Sequence, residues 1–249
     1  AKEIIRANGI QAAGKREGRK AQEGTIASTV IDSAAGQTGY AVELNSETDF
    51  VAKTPKFIDF ADTVLADAVK AGADDIDAVL AAPSQDGTVK EAVEEASALF
   101  GEHVKVGQFA KIEGPKVEIY AHKKSVEMPP SIVAMIATDE AGAAVAHEAA
   151  LQISAMGAQW LTRDDVPEDV VETERRVATE KSLAEGKPEK IVPKIVEGRL
   201  NAFFKENVLL EQAYVKDPSK TIGDLFKEVG GQALAFARLE VGKAPEADA

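Results

Sequence analysis

A change of hydrophobic period early in the chain constrains its fold more than any other feature. Between Tyr40 and Asn45, apolar side chains alternate with smaller or polar ones, which predicts an antiparallel strand with one buried face. Between Phe57 and Val69, the apolar side chains recur at helical spacing and form a single stripe. Strands and helices also alternate later in the chain, so we predict an α+β fold in which two small antiparallel sheets each carry helices.

The first α+β subdomain is predicted at residues 24–113. Its long helix, at about 56–71, has Thr54 at the N-cap and Pro55 at the first helical position, and Gly72 ends it. Turn-forming residues at 33–39 indicate a hairpin between a strand that starts at Thr25 and the alternating strand. The other elements predicted here are an acidic, irregular segment at 73–87, a helix at about 88–100, and a strand at about 104–112 with a bulge at Gly107.

A second α+β subdomain is predicted from residues 114–166 together with 204–242. The residues from Val117 to His122 alternate like a half-buried strand, and the run from Ile132 to Ala137 is apolar on both faces. The second run therefore predicts a strand that is covered on both sides. The other elements predicted here are helices at about 141–156 and 221–229 and a last strand at about 234–241.

Residues 167–203 are richer in charge and have apolar residues seven apart, which predicts a helical hairpin or short coiled coil. The hairpin should turn at Gly186-Lys187-Pro188. Pro193 removes a helix hydrogen bond unless it lies in the first turn, so the sequence leaves the regularity of the second helix open. At the chain ends, residues 1–23 are interpreted as the end of an N-terminal helical domain plus a linker, and 243–249 as a flexible tail.

The composition favours a protein partner over nucleic acid or a membrane. The net charge is -13, and the one basic cluster, at 15–20, contains a glutamate and no aromatic residue, so we interpret it as a solvated linker. The chain has no cysteine, which excludes disulfides and thiolate sites and is typical of a cytoplasmic protein. No run approaches the roughly 18 apolar residues that a membrane span needs.

No motif predicts a catalytic residue, a metal ligand or a cofactor. The chain lacks a G-x-x-x-x-G-K-[ST] loop, a G-x-G-x-x-G turn, an H-E-x-x-H pair and a G-x-S-x-G elbow. Its adjacent acidic pairs lie in polar stretches and are expected to be solvated. An enzyme would have to use His122 with Glu118 or Tyr120 as an acid–base pair on one strand face.

The segment from Asn45 to Lys53 is the one sharply distinctive feature. It joins a strand to a capped helix and places the Phe50 ring beside the Asp49 carboxylate at a chain reversal. Two interpretations stay open from the residues alone. Asp49 caps a turn and Phe50 tucks under the sheet, which is the commoner use of an apolar residue near a turn, or the two form an interaction site.

The run Thr48-Asp49-Phe50-Val51-Ala52 resembles the signature of the elongation factor Ts family, in which T-D-F-V-A follows a strand and precedes a helix. Leu151-Gln152 departs from the Met-His pair of several relatives, so no role is assigned to His147. The resemblance implies that residues 1–23 correspond to the end of the family's N-terminal ubiquitin-associated-like domain and the link that follows it. Further resemblances follow in family order at Ile4–Gly24, Phe57–Val64, Ile119–His122, Gly186–Pro188, Ile195–Arg199, Pro218–Ile222 and Phe236–Gly242.

The resemblance implies a guanine-nucleotide exchange factor of bacterial translation elongation, with no catalytic residue or cofactor of its own. Its partner would be elongation factor Tu, in the GDP-bound and nucleotide-free states. The T-D-F-V run would enter the partner beside its Mg²⁺ site, where Asp49 disturbs the surroundings of the ion and Phe50 wedges between side chains. Thr48 and Val51 would shape the turn.

The resemblance also implies a secondary contact, in which the sheet that carries Tyr120 and His122 grips another domain of the partner. The alternative to exchange is a non-catalytic adaptor that binds its partner through the charged hairpin. The sequence leaves self-association and the stoichiometry of a complex open.

Overall fold

The computed structural model describes residues 14–34 and 36–243. The chain divides into two compact units, the described parts of Ala1–Ala137 with Ala235–Ala249, and Thr138–Leu234. Residues 1–13 of the segment predicted to be the end of an N-terminal helical domain and a linker (1–23), and residues 244–249 of the predicted tail, lie outside the described residues. Within the described ranges, no helix is long and apolar enough to cross a membrane.

The described elements confirm the predicted α+β class. The strands are β1 (Glu23–Ser33), β2 (Gly36–Ser46), β3 (Pro83–Ser84), β4 (Gly87–Thr88), β5 (Lys105–Gly114), β6 (Lys116–Lys123), β7 (Pro130–Thr138), β8 (Ala213–Tyr214), β9 (Asp217–Thr221) and β10 (Ala233–Glu240). The helices are α1 (Asp49–Ala52), α2 (Pro55–Ala71), α3 (Ile76–Ala81), α4 (Val89–Phe100), α5 (Ala143–Met156), α6 (Glu168–Ala184), α7 (Val192–Asn207) and α8 (Ile222–Glu228).

The first sheet has the order β1-β2-β5 with antiparallel pairing, and β2 is its central strand. The prediction that β2 is half-buried is wrong, because the strand is covered on both faces. Tyr40, Val42 and Leu44 belong to one apolar cluster, and Ala41 belongs to another. The strand also begins at Gly36, so the turn is shorter than the predicted one at 33–39.

A buried carboxylate lies on the polar positions of β2. Glu43 is 1% exposed and accepts hydrogen bonds from Asn45 Nδ2 (2.6 Å), Gln108 Nε2 (2.6 Å) and the Gly242 amide (2.8 Å). The register between β2 and β5 shifts between Val42 and Leu44, which confirms the bulge predicted at Gly107. These donors satisfy the charge that burial would otherwise penalise.

The helices on the first sheet follow their sequence signals. Thr54 caps α2 by accepting a hydrogen bond from the Phe57 amide (3.3 Å), and Gly72 ends the helix in the left-handed conformation. The prediction of irregular structure at 73–87 is wrong. Asp75 caps the short helix α3 there, and β3 and β4 form a small hairpin. The acidic residues in this segment are thus partly helix caps, a role that their charge alone did not reveal.

The second sheet has the order β10-β7-β6, with β7 at its centre. The predicted burial of both faces of β7 is confirmed, since Val133, Ala134, Met135 and Ile136 are all 0% exposed. Continuous apolar sequence without alternation was the signal for this strand.

The second unit contains the predicted helical hairpin, formed by α6 and α7. Its apolar side chains form one cluster with residues at its base, including Val166, Phe204 and Val208. Pro193 lies in the first turn of α7, where its missing N–H needs no helical acceptor, so the helix stays regular. Exposed ion pairs, Arg175–Glu197 and Arg199–Glu185, each 3.0 Å, link the two helices.

Candidate functional site

The candidate site is Thr48–Val51, here called the tip, which follows β2 and leads into α2. Asp49 to Ala52 form a single helical turn, α1. Thr48, rather than Asp49, is its N-cap, and the Thr48 hydroxyl accepts a hydrogen bond from the Val51 amide at 3.4 Å. The Thr54 hydroxyl donates to the Val51 carbonyl at 2.8 Å, which joins the tip to the next helix.

Phe50 points away from the core. Its exposed fraction is 71%, whereas Ala52, two residues later, is 0% exposed. Val51 packs against the apolar cluster that contains Val42 and Leu44. The interpretation in which Phe50 tucks under the sheet is therefore wrong. Burial of an exposed phenyl ring is favourable, so a ring held in solvent on an anchored turn is a candidate contact for a partner.

Glu102 and His103, which follow α4, form hydrogen bonds with the residues at the start of the tip. One Glu102 oxygen accepts hydrogen bonds from the Glu47 and Thr48 amides, each 3.0 Å, and the other accepts from the Thr48 hydroxyl at 2.6 Å. In return, the Glu47 carboxylate accepts from the His103 amide at 2.6 Å. We call these four residues, Glu47, Thr48, Glu102 and His103, the clasp.

The basic segment before β1 extends the clasp. Arg19 lies 3.5 Å from the Glu47 carboxylate, and the Arg19 carbonyl oxygen is 2.9 Å from Nδ1 of His103. Arg16 donates to the Ser97 carbonyl at 2.9 Å. The basic cluster was predicted to be a solvated linker, and at these two arginines it is instead attached to the first unit.

Tyr120 and His122 lie side by side on β6, as their spacing predicts. The Tyr120 hydroxyl is 3.1 Å from Nδ1 of His122, and their ring centres are 6.0 Å apart. These two residues belong to the second sheet, whereas the tip follows a strand of the first. Within the described residues, no group of three or more His, Cys, Asp or Glu side chains could hold a metal ion.

Comparison with known proteins identifies the family. The family model described as Elongation factor TS matches residues 47–243, which include the tip and most of both units. A protein of Bifidobacterium adolescentis named Elongation factor Ts is 82% identical over 98% of this chain and 86% of its own length.

More distant relatives carry the same name. The Elongation factor Ts of Bifidobacterium longum subsp. infantis is 80% identical over 99% of this chain and 87% of its own length. That of Beutenbergia cavernae is 48% identical over 96% of this chain and 86% of its own length. Because the family model matches residues 47–243 and the relatives cover 96–99% of the chain, this chain belongs to the elongation factor Ts family.

Proposed function

We propose that this chain is a guanine-nucleotide exchange factor of translation elongation that acts in the cytoplasm. It binds elongation factor Tu with GDP, displaces Mg²⁺ and promotes release of GDP, so that GTP can bind. Membership in the elongation factor Ts family implies exchange on elongation factor Tu. The observation that carries the mechanism is the 71% exposure of Phe50 on a turn that is anchored at both ends.

Asp49 supplies the electrostatic part of this mechanism. A GTPase holds GDP largely through phosphate contacts that Mg²⁺ bridges. A group that disturbs the ligands of the ion therefore weakens the binding of GDP. Asp49 lies in the first turn of α1 beside Phe50, where the cap at Thr48 fixes its backbone. Its carboxylate enters the site of the ion together with the ring.

Phe50 supplies the apolar part. Aromatic anchors contribute most to an interface when a partner encloses them completely, and the free protein leaves this ring open. Val51 and Ala52 pack behind it, so the backbone that carries the ring rests on the core. The backbone that carries the ring is thus held rigidly, so the ring can displace side chains of the partner without moving itself.

Tyr120 and His122 form the proposed secondary contact, on a different sheet from the strand that leads to the tip. We propose that the first subdomain, 24–113, acts on the nucleotide-binding domain of the partner, while the second, 114–166 with 204–242, holds another domain. Exchange is then negative coupling. The factor weakens GDP binding, and GDP weakens binding of the factor by the same amount.

The direct test is release of labelled GDP from elongation factor Tu, with and without this chain, in excess unlabelled nucleotide. The proposal predicts accelerated release by substoichiometric amounts of the chain, because each molecule leaves its partner when new nucleotide binds. An adaptor that binds through the hairpin would form a complex without faster release, and that result would refute the proposal.

A further inference from the structure

The clasp has a feature that local turn geometry does not require. Two backbone amides and one hydroxyl, all from Glu47 and Thr48, converge on the single carboxylate of Glu102. Glu102 follows the end of α4 and is 54 residues away from Thr48 in the chain. Hydrogen bonds to a carboxylate are typically stronger than those between neutral groups, so these three bonds tie the start of the tip to a segment that is distant in the chain.

Glu102 also sets the direction of the Thr48 hydroxyl. A hydroxyl has one proton, and Thr48 donates it to Glu102 at 2.6 Å. Its lone pairs are thereby left to accept from the Val51 amide, at 3.4 Å, which is the bond that caps α1. Removal of the Glu102 carboxylate frees the hydroxyl to rotate and weakens the cap.

The helix α1 depends on such support because it is only four residues long. A single helical turn is unfavourable alone, since it fixes several residues for one hydrogen bond. Val51 and Ala52 hold its C-terminal half through packing. At its N-terminal half, which presents Asp49 and Phe50, the cap and the Glu102 carboxylate hold the backbone.

We propose that Glu102 is a positioning residue for nucleotide exchange, which fixes the angle at which the tip presents Asp49 and Phe50 to the partner. The bonds of Glu102 end at Glu47 and Thr48, so it acts through the tip backbone without touching the nucleotide or its ion. The reciprocal bond from the His103 amide to Glu47, at 2.6 Å, joins the same two segments in the opposite direction and completes the clasp. This inference rests on the proposed function.

The test compares Glu102→Ala with wild type in labelled-GDP release from elongation factor Tu over a range of factor concentrations. We expect the maximal rate to fall at least about tenfold, because a displacement of about 1 Å in a positioned group can cost about a hundredfold, while the concentration for half-maximal rate changes less. Glu94→Ala, on α4 but outside the clasp, is the matched control and should keep the wild-type rate. Thermal melts of both variants show whether the fold is intact.

A double-mutant cycle with Phe50→Ala separates positioning from a general structural role. If Glu102 acts by holding the tip, Glu102→Ala should slow exchange much less when Phe50 is already absent. Losses that multiply in the double variant would overturn the inference. So would a wild-type maximal rate in folded Glu102→Ala.

Glu102→Gln keeps the test decisive if the alanine variant does not fold. One oxygen becomes an amide group that cannot accept a hydrogen bond, so at least one donor of the tip loses its acceptor. We expect a maximal rate between those of wild type and Glu102→Ala, and a wild-type rate would overturn the inference. Failure of the proposed function itself is seen separately, as absence of GDP release by the wild-type chain.

Discussion

The ammonium group of Lys53 lies 4.8 Å from the centre of the Phe50 ring. Such a cation–π contact contributes about 0.5–1 kcal/mol at an exposed site, and it leaves most of the ring open to solvent. The free tip thus restrains Phe50 without burying it. Loss of the ring should therefore destabilise the fold little, while loss of the partner contacts proposed for it should slow exchange much more.

Asp49→Asn tests the electrostatic part of the mechanism. The substitution keeps the size of the side chain and removes its charge, and the α1 cap at Thr48 does not depend on it. We expect GDP release to slow when Mg²⁺ is abundant and the defect to shrink when Mg²⁺ is chelated. Release rates across a Mg²⁺ titration measure this. A defect of equal size at every Mg²⁺ concentration would mean that the carboxylate only shapes the turn.

Shortening the hairpin tests whether exchange depends on it. Replacement of residues 176–196 by a short glycine-serine link removes Ala178, Val192 and Val196 from the apolar cluster of the hairpin. It keeps Leu200, Phe204 and Val208 at the base of that cluster. We expect a folded protein that releases GDP at the wild-type maximal rate, with a change confined to partner affinity. Thermal melting and release at saturating concentration provide the measurements. A folded variant that releases no GDP would place the hairpin in the exchange machinery.

Gly107→Ala tests the packing of the bulge in β5. A Cβ atom at Gly107 would overlap Asn45 Oδ1 and lie 2.7 Å from Glu43 Oε2, and both groups are buried. We expect a loss of about 1–3 kcal/mol in unfolding free energy, as overpacking typically causes. The matched control is Gly198→Ala, inside α7, where the added Cβ meets no atom within 4 Å. That variant should gain up to about 1 kcal/mol. Chemical denaturation measures the unfolding free energy of both variants. A change of the same sign in both, relative to wild type, would contradict the packing account.

The hairpin of β8 and β9 gives the second unit a predicted pH dependence. The Lys216 ammonium and the Tyr214 hydroxyl donate to the Glu148 carboxylate and lower its pKa. A lowered folded-state pKa stabilises the fold above the unfolded pKa, and that stability is lost as the pH falls through the folded value. We expect the stability difference between wild type and Glu148→Gln to shrink below about pH 5. Urea denaturation from pH 7 to pH 3 measures it, and a constant difference would contradict this assignment.

The contact between Tyr214 and Glu148 should also lose its stabilising effect at high pH. The hydrogen bond to Glu148 raises the pKa of Tyr214 to about 12. Stability from a raised pKa is complete below the ordinary tyrosine value, near 10, and is lost as the pH rises through the folded value. The difference in phenolate absorbance between wild type and Tyr214→Phe should therefore have its midpoint near 12. A midpoint near 10 would show that the contact is absent in solution.

The sequence predicted elements whose signals are local and missed those whose partners are distant. Thr54 and Pro55 mark the start of α2 within a few residues, so its start was predictable. The strand with one buried face that the sequence predicts between Tyr40 and Asn45 does not reveal the burial of Glu43, because the donors to its carboxylate at Gln108 and Gly242 are 65 and 199 residues away. No local pattern marks Glu102 either, since its role depends on a tertiary contact.

The tip was likewise only partly predictable from its local sequence. Its T-D-F-V run was found from its resemblance to a family, while the physical argument from the residues alone favoured a buried Phe50. The structure exposes the ring because Val51 and Ala52 already fill the adjacent core positions. Alternation of buried and exposed side chains within one helical turn cannot be read from four residues, since no period is defined over so short a run.

The most direct test of the central claim, that the Phe50 ring drives release, is the GDP-release rate of Phe50→Ala at fixed Mg²⁺. As a central aromatic anchor, its loss should cost about 2 kcal/mol, or roughly thirtyfold in rate per folded molecule. Its melting temperature should stay near that of wild type. Phe57→Ala is the reference, because Phe57 is 0% exposed in the same unit and its removal should destabilise the fold by about 3–5 kcal/mol. A wild-type release rate for Phe50→Ala, with a melting temperature lowered as far as that of Phe57→Ala, would contradict the account.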